Sequence, residues 1–464
     1  MKRNSMKEPN KIQTVLSVAS CKLTRTILRR TGRGGTALPG TVAMKVSKNI
    51  LSVPAKDMEI VVVTGTNGKT TTCNMIEHAL TEGGHDCHRD KSGANLLHGI
   101  ASDLICDTNW LGKPRHHYAV LEVDEAALKQ LVPLIRPKVI VVTNLFTDQA
   151  DRFGGVENTL AEVRKGVKLS PESTLVLNAE DTQSASLALG VPNKVIWYGL
   201  EESVGEQGKI DLSDAGKCPK CGGDYEYDYH IYAHLGGFRC PKCGYSHNTP
   251  DVAVTSIDKM GTGGSTIHLR TDDQVEEVFV SLPAVYNVYN AAACVGAIKG
   301  MGLPASEAIQ SLANVRSAFG RMETFELGGN VLQMILVKNP AGCNQAFTYV
   351  TSFKDKFNAV LCLNNRTGDG HDFSWIENTD YEKLVSDPFL QKLYVCGDRA
   401  RDLYDRLLRA GADAGRMELV TDYTKLVDEL EQESCTTFLL PNYTAMMELR
   451  TALGPKTGNK EFWE

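Results

Sequence analysis

The chain has 464 residues, 42% of them apolar and 23% charged, an ordinary soluble composition and too long for a single core, so two or three domains are expected. A formal charge of −6 argues against a nucleic-acid binder, so any anionic ligand has to be held by local positive groups. No apolar run reaches the roughly 20 residues needed to span a bilayer, and the opening MKRNSMKEPN has no apolar signal-peptide core, which argues against secretion.

In residues 1–30, Lys11, Lys22, Arg25, Arg29 and Arg30 interleave with Ile12, Val15, Leu16, Val18, Leu23, Ile27 and Leu28 at rough helical spacing. Such a helix suits an anionic membrane surface or simple docking on the protein itself, and both readings stand. Turn residues Gly32-Arg33-Gly34-Gly35 and Pro39-Gly40 end the segment. From about residue 55, apolar runs alternate with helical patterns. Strands are expected at 59–63, 119–123, 139–143, 175–177 and 195–198, with a helix over 71–83. This alternation predicts a mostly parallel sheet covered by helices. An insert at 214–250 breaks the pattern. Strands resume at 252–257, 265–269 and 278–282, and helices follow near 290–301 and 304–313. A boundary falls near 320–329, and a second α/β block follows. The expected organisation is a basic lead-in (1–53), a central domain (54–318) and a C-terminal domain (319–464).

The most informative stretch is Thr64-Gly65-Thr66-Asn67-Gly68-Lys69-Thr70-Thr71-Thr72, directly after Ile60-Val61-Val62-Val63. An apolar strand, a Gly-rich turn, Lys-Thr and a helix make a phosphate cradle. Backbone N–H groups face the anion, and a lysine adds a point charge. Gly65, Thr66, Asn67, Gly68, Lys69, Thr70 and Thr71 are therefore candidate nucleotide contacts, and Thr70 is placed for Mg²⁺. The strict pattern wants glycine where Val63 stands, so the match is to a more compact form. Glu122 ends a strand beside this loop, where a second Mg²⁺ or water ligand belongs. Asp124 and Glu125 lie close by, and Asp124 reads first as a cap of the following helix. Asn144 and Asp148, then Asn178, Glu180 and Asp181, gather at further strand tips and outline a crevice.

Thirteen cysteines remain to be explained. Cys218-Pro-Lys-Cys221 and Cys240-Pro-Lys-Cys243, eighteen residues apart, can supply four thiolates to one structural Zn²⁺ that holds residues 214–250 as a ribbon. The other nine are scattered, several in apolar context, and fit reduced thiols of a cytosolic protein.

Together, GTNGKTTT (65–72), LEVDE (121–125), TNLFTDQADRFG (143–154), LNAED (177–181), LPAVYNVYNAAA (282–293), FGRMETF (319–325), KNPAG (338–342) and GDRARDLYDRLLRAG (397–411) resemble the Mur ligase superfamily, in that family's order. The fold it implies is a Mur ligase-like central P-loop ATPase domain, here with a zinc-ribbon insert, followed by a Rossmann-like C-terminal α/β domain. The chain departs from the peptidoglycan ligases: it leaves little room for a UDP-binding domain before the loop, has Lys338-Asn339-Pro340 in place of His-Asn-Pro, and has Asp148-Gln149 in place of Asp-His. Those departures, with GRGGTALPG (32–40), HIYAHLGGFRCPKCGYS (230–246), DGHDFSWI (369–376) and LPNYTAMMELR (440–450), resemble the MurT family of ligase subunits. Asn364-Asn365 and Glu377-Asn378 depart from the usual MurT loop. The resemblance implies ATP-dependent amidation of the D-glutamate α-carboxylate of the lipid II stem peptide through an acyl phosphate. It implies a GatD-type glutamine amidotransferase partner that supplies ammonia, and a place in the cytoplasm at the inner face of the plasma membrane. By the same resemblance Asn287 is an adenine contact, and Arg321 meets the phosphates from the domain junction. Asp372 either completes the partner's Cys/His arrangement or guides ammonia, with Asp369 and His371 as neighbours. A helix cap explains Asn287 or Asp372 equally in type. Gly342-Cys343-Asn344 is no nucleophile elbow, so ammonia has to come from outside the chain. Two other readings are a stand-alone amino-acid ligase of the folylpolyglutamate synthase type and a zinc-ribbon scaffold whose nucleotide site only regulates assembly.

Overall fold

The computed structural model describes residues 8–31, 36–89, 93–147, 155–204, 214–261, 263–316, 320–370 and 372–458. Asp148, His371 and the Gly32–Gly35 turn lie outside the described residues.

Helices α1 (Lys11–Arg30), α2 (Ala37–Val46) and α3 (Ser52–Ala55) lead into β1 (Glu59–Thr64), followed by α4 (Lys69–Glu82), β2 (Cys87–Arg89), α5 (Leu97–Cys106), β3 (Tyr118–Glu122), β4 (Val139–Val142), β5 (Thr174–Asn178) and β6 (Val195–Leu200). The hairpin β7 (Glu226–Tyr232) and β8 (Leu235–Arg239) belongs to the Cys-rich insert. Strands β9 (Val252–Gly261), β10 (Gly264–Thr271) and β11 (Gln274–Val280) complete the first sheet. Its order is β11-β10-β9-β6-β5-β4-β1-β3-β2, parallel from β2 to β9 and antiparallel beyond.

Both faces of the parallel strands are buried, which explains their unbroken apolar runs. Val61 and Val63 pack with α4 and the helix Val285–Gly300. Ile60 and Val62 pack on the other face with α1, α2, α5 and the helix Leu128–Ile135. The lead-in thus shares a core with the first sheet through Val18, Cys21, Ala43, Ile50 and Leu51.

The second sheet holds β12 (Arg321–Leu327), β13 (Asn330–Ile335), β14 (Phe357–Cys362), β15 (Leu390–Cys396), β16 (Met417–Leu419) and β17 (Thr436–Pro441), in the order β12-β13-β17-β14-β15-β16. Only β12 runs antiparallel to its neighbour. Residues 321–327, expected at a boundary, are therefore an edge strand of this sheet. Helices 340–350, 381–385 and 400–409 cover one face, and 423–430 and 443–457 the other.

In the first sheet the chain leaves β1 through α4 toward β2, and leaves β4 in the opposite direction toward β5. The adjacent strands β1 and β4 thus open a crevice at their carboxyl ends, where open α/β sheets bind ligands.

Candidate active site

The Gly-rich loop sits at that crevice. Gly65 and Gly68 have φ of 121° and 85°, which only glycine adopts without strain. Both also lack room for a side chain. A Cβ on Gly65 would stand 2.7 Å from the Asn144 carbonyl oxygen, and one on Gly68 2.3 Å from Asn290 Oδ1. The tip of the neighbouring strand β4 clamps the loop: Thr66 N–H donates to the Asn144 carbonyl (2.8 Å), Asn67 N–H to Asn144 Oδ1 (3.0 Å) and Phe146 N–H to Thr66 Oγ1 (3.0 Å). Asn144, noticed only as a strand-tip polar residue, is thus the main support of the loop. Helix α4 starts at Lys69 and has no side-chain cap, so its first N–H groups remain for an anion.

Lys69 Nζ lies 3.0 Å from Glu125 Oε1 and also donates to the Gly65 carbonyl. Thr70 Oγ1 donates to Glu122 Oε2 at 2.7 Å. The β1–β3 register makes this contact possible by setting Glu122 beside Val63, the residue before the loop begins to turn. A hydroxyl and a carboxylate at this spacing, beside a helix N-terminus, suit a hard divalent cation. Asp124 accepts from Ala126 N–H (3.0 Å) and closes the turn before the helix Leu128–Ile135, but it does not cap that helix as expected, because the N-cap is Ala127. Glu125, passed over as a neighbour, is the partner of the loop lysine. No sequence signal short of the fold distinguishes it from Asp124.

Asn287 does not cap a helix. It lies in the first turn of the helix Val285–Gly300, whose N-cap is Ala284, and its Nδ2 donates to the Pro283 carbonyl at 2.6 Å. Its Oδ1 accepts from Asn290, which in turn meets Thr72 Oγ1 at 3.2 Å. Both asparagines are buried. They share one helix face three residues apart and form a polar rail from this helix to the Gly-rich loop.

Arg321 is half-buried at the start of β12. Burial lowers its pKa, and the nearby Glu122 carboxylate opposes that shift. Asn339 Nδ2 meets Asn67 Oδ1 at 3.2 Å, a further link from the second block to the loop, while Asn339 Oδ1 caps the helix Pro340–Val350 through Gly342 N–H at 2.8 Å.

The strand tip with Asn178, Glu180 and Asp181 is not open crevice, contrary to expectation, because the insert covers it. His234, at the turn of the β7–β8 hairpin, is fully buried with Nε2 2.9 Å from Asp181 Oδ1. Tyr232 stacks on Phe146 with centroids 6.2 Å apart, and Thr147 N–H donates to Asp214 at 3.1 Å. Glu180 is fully buried. Burial pushes its carboxyl up to about 7, against the opposing hydrogen bonds from Leu200 N–H (2.6 Å) and Tyr289 OH (2.8 Å).

Within the insert, the Sγ atoms of Cys218 and Cys243, and of Cys221 and Cys240, are 3.5 Å apart, and all four lie within 4.8 Å of one another. A tetrahedron of thiolates at about 2.3 Å from zinc needs S···S near 3.8 Å, so the donor set fits. Each Cys-x-x-Cys turn closes with a hydrogen bond to the first cysteine's carbonyl, from Gly222 N–H (2.8 Å) and Gly244 N–H (2.9 Å). Both glycines have positive φ, 69° and 75°.

In the C-terminal block, Asp372 Oδ1 accepts from Ser374 N–H at 2.8 Å and closes the turn leading into the short helical segment Ser374–Asn378, whose N-cap is Phe373. Its pKa is lowered by the Ser374 side-chain and backbone hydrogen bonds. The structure does not bring it beside the Gly-rich loop residues. Asp369 is committed to Thr444 N–H at 2.8 Å. Both lie near a polar cluster at the carboxyl ends of β14 and β17. There the Asn442 side chain holds the Asn364 backbone at both ends, accepting from its N–H through Oδ1 (3.0 Å) and donating to its carbonyl through Nδ2 (2.7 Å), and Arg366 grips Asp398 at 2.8 Å.

A family model for the Mur ligase middle domain matches residues 63–231, and one for the MurT ligase C-terminal domain matches 336–446. The chain is 32% identical over 447 residues (96% of this chain, 98% of the relative) to the lipid II isoglutaminyl synthase (glutamine-hydrolyzing) subunit MurT of Streptococcus pneumoniae. It is 31% identical over 431 residues (92% and 94%) to the subunit of the same name from Staphylococcus aureus. Among solved structures, a pseudomurein peptide ligase type C from Methanothermus fervidus shares the fold, with TM-score 0.66 over 88% of this chain and 80% of that one, at 19% identity.

Proposed function

The chain belongs to the MurT family of Mur ligase-like subunits and is a ligase, and from that premise we propose that it amidates the D-glutamate α-carboxylate of the lipid II stem peptide. The observation that carries this reading is the Thr70–Glu122 pair beside a glycine turn and an uncapped helix start.

A carboxylate is a poor electrophile. Its oxygen attacks the γ-phosphorus of ATP, the bond to the β-γ bridging oxygen breaks, and ADP leaves. Ammonia then attacks the acyl phosphate carbon, inorganic phosphate leaves with the electron pair, and the nitrogen gives up a proton. Positioning and charge neutralisation do most of the work in such transfers. In this reading the loop Gly65-Thr66-Asn67-Gly68, Lys69, Thr70 and Thr71 hold the phosphates, Asn287 lies toward the adenine, and Arg321 faces the phosphates from the second block. Thr70 and Glu122 would hold Mg²⁺, which supplies charge neutralisation. Cys218, Cys221, Cys240 and Cys243 would hold Zn²⁺, which fixes the fold of the insert.

Ammonia comes from a GatD-type glutaminase subunit, and Asp372 serves that partner. The enzyme works in the cytoplasm at the inner face of the plasma membrane. Among the described residues no helix is long and apolar enough to cross a membrane.

The test supplies ATP, Mg²⁺, glutamine and a D-Glu muropeptide lipid to the chain with and without co-expressed glutaminase, and reads the product by mass for exchange of OH for NH₂. The proposal expects glutamine-driven product only with the partner. Ligation of an amino acid with neither partner nor ammonium present would favour the stand-alone ligase instead.

A further inference from the structure

Helix α1 docks through the face opposite its large aliphatic side chains. Its buried residues are Thr14, Ser17, Val18 and Cys21, a small and mostly polar set packed on α2 and α5. The contact is close: Cys21 Sγ reaches the Ser102 carbonyl at 3.8 Å and Cys106 Sγ at 3.7 Å. The opposite face carries the large aliphatic side chains. Ile12, Leu16, Leu23 and Ile27 are 72%, 55%, 63% and 52% exposed and share one stripe along the helix. A surface helix of a self-contained protein buries such a stripe, so a contiguous exposed one marks an interface.

The surroundings say of what kind. Between Asn10 and Lys56 the sequence has nine Lys or Arg and no Asp or Glu, in a chain of net charge −6. Lys11, Lys22 and Arg29 fall on one flank of the stripe, and Arg30 ends it. Beside that flank, the tip of the loop before β3 presents Trp110 and Leu111, 61% and 71% exposed, followed by exposed Lys113 and Arg115. Lys22 joins the two elements: its ammonium donates to the Thr108 carbonyl and lies 5.2 Å from the Trp110 ring centroid. Aliphatic side chains in a row, a tryptophan at the edge and a basic rim form the chemistry of a helix lying flat in an anionic lipid headgroup layer.

We infer that α1 and the Trp110-Leu111 loop tip form a docking face for an anionic membrane surface, with the stripe of Ile12, Leu16, Leu23 and Ile27 entering the headgroup region and the basic rim pairing with lipid phosphates. This inference rests on the membrane location in the proposed function and names the surface that makes the contact. Its evidence is surface chemistry, separate from the nucleotide site.

The experiment is co-sedimentation of the full chain, alone and with its co-expressed glutaminase, with vesicles of pure phosphatidylcholine or of phosphatidylcholine with phosphatidylglycerol. No lipid II is present, so membrane binding and amidation are read separately. Binding is expected to the phosphatidylglycerol vesicles in both protein forms, weakening with salt. The variant Leu16→Ser/Leu23→Ser/Ile27→Ser alters only exposed positions. It is expected to keep its melting temperature and ATPase rate and to lose roughly tenfold or more in vesicle partitioning. Arg29→Glu/Arg30→Glu is expected to weaken binding and flatten its salt dependence. Binding to neither vesicle, equal binding by the triple variant, or loss of binding when the glutaminase is present would each overturn the inference. So would a triple variant that changes only the oligomeric mass in light scattering, which would assign the stripe to a second copy of the chain.

Discussion

Thr70 Oγ1 and Glu122 Oε2 meet at 2.7 Å, joining the first turn of α4 to the tip of the adjacent strand β3. In the proposed mechanism this pair would hold a divalent cation, which supplies charge neutralisation. Glu122→Gln keeps the shape and the hydrogen bond but removes the charge. It is expected to lower kcat roughly 10²–10³-fold and to raise the Mg²⁺ concentration needed for half-maximal rate. Steady-state kinetics over a Mg²⁺ series check this, and an unchanged Mg²⁺ dependence would remove Glu122 from the metal site.

Asn339 has two tasks: it caps the helix Pro340–Val350 through Oδ1 and reaches Asn67 through Nδ2. Serine can cap but is too short to reach the loop. Asn339→Ser is therefore expected to change stability by less than about 1 kcal/mol while lowering kcat/KM for ATP roughly 3–10-fold, the worth of one hydrogen bond. Thermal melting and initial rates, taken together, separate the two tasks.

Asp372 holds its turn through Ser374 N–H, a bond that asparagine also makes. Asp372→Asn is thus expected to fold normally, to keep ammonium-driven amidation, and to lose glutamine-driven amidation in the reconstituted complex. Loss of both activities would place Asp372 in the ligase chemistry itself. Retention of both would leave it a turn cap.

Glu180 sets a pH dependence of stability. Burial raises its carboxyl from the ordinary glutamate value of 4.5 to about 7 in the fold. The folded chain therefore holds more protons than the unfolded chain between those values. The stability this group gives is present in full below pH 4.5 and is lost as the pH rises through 7. Glu180→Gln removes the titration while keeping an oxygen for Leu200 N–H and Tyr289 OH. The variant is expected to gain on the wild type above pH 7 by up to about 3 kcal/mol, and to lose that advantage near pH 4.5. Melting curves at a series of pH values check the sign, and parallel curves for the two proteins would contradict it.

What could be read in advance was local in origin. Gly65, Gly68, Lys69 and Thr70 declare themselves because a tight turn after an apolar strand demands glycine, and an anion demands N–H groups and a cation. The Cys-Pro-Lys-Cys pairs are legible for the same reason, since both knuckles are short closed turns. The unread features depend on tertiary proximity. Asn144, Asn290 and Asn339 converge on the loop from three elements distant in sequence. His234 looks like a surface hairpin residue until the hairpin is laid against Asp181, which turns an apparent ligand crevice into a buried joint. The orientation of α1 was undecidable because its small face and its aliphatic face both satisfy helical periodicity. Only the packing of Cys21 and Ser17 against α5 and its neighbours settles which one faces outward.

The proposed reaction requires that a carboxylate be phosphorylated before nitrogen attacks it. Substrate carrying oxygen-18 in the D-glutamate α-carboxylate, turned over once with ATP and ammonium, tests it through the mass of the phosphate released. Each phosphate is expected to carry one labelled oxygen, delivered from the carboxylate as the amide forms. Amide formation accompanied by unlabelled phosphate would contradict it.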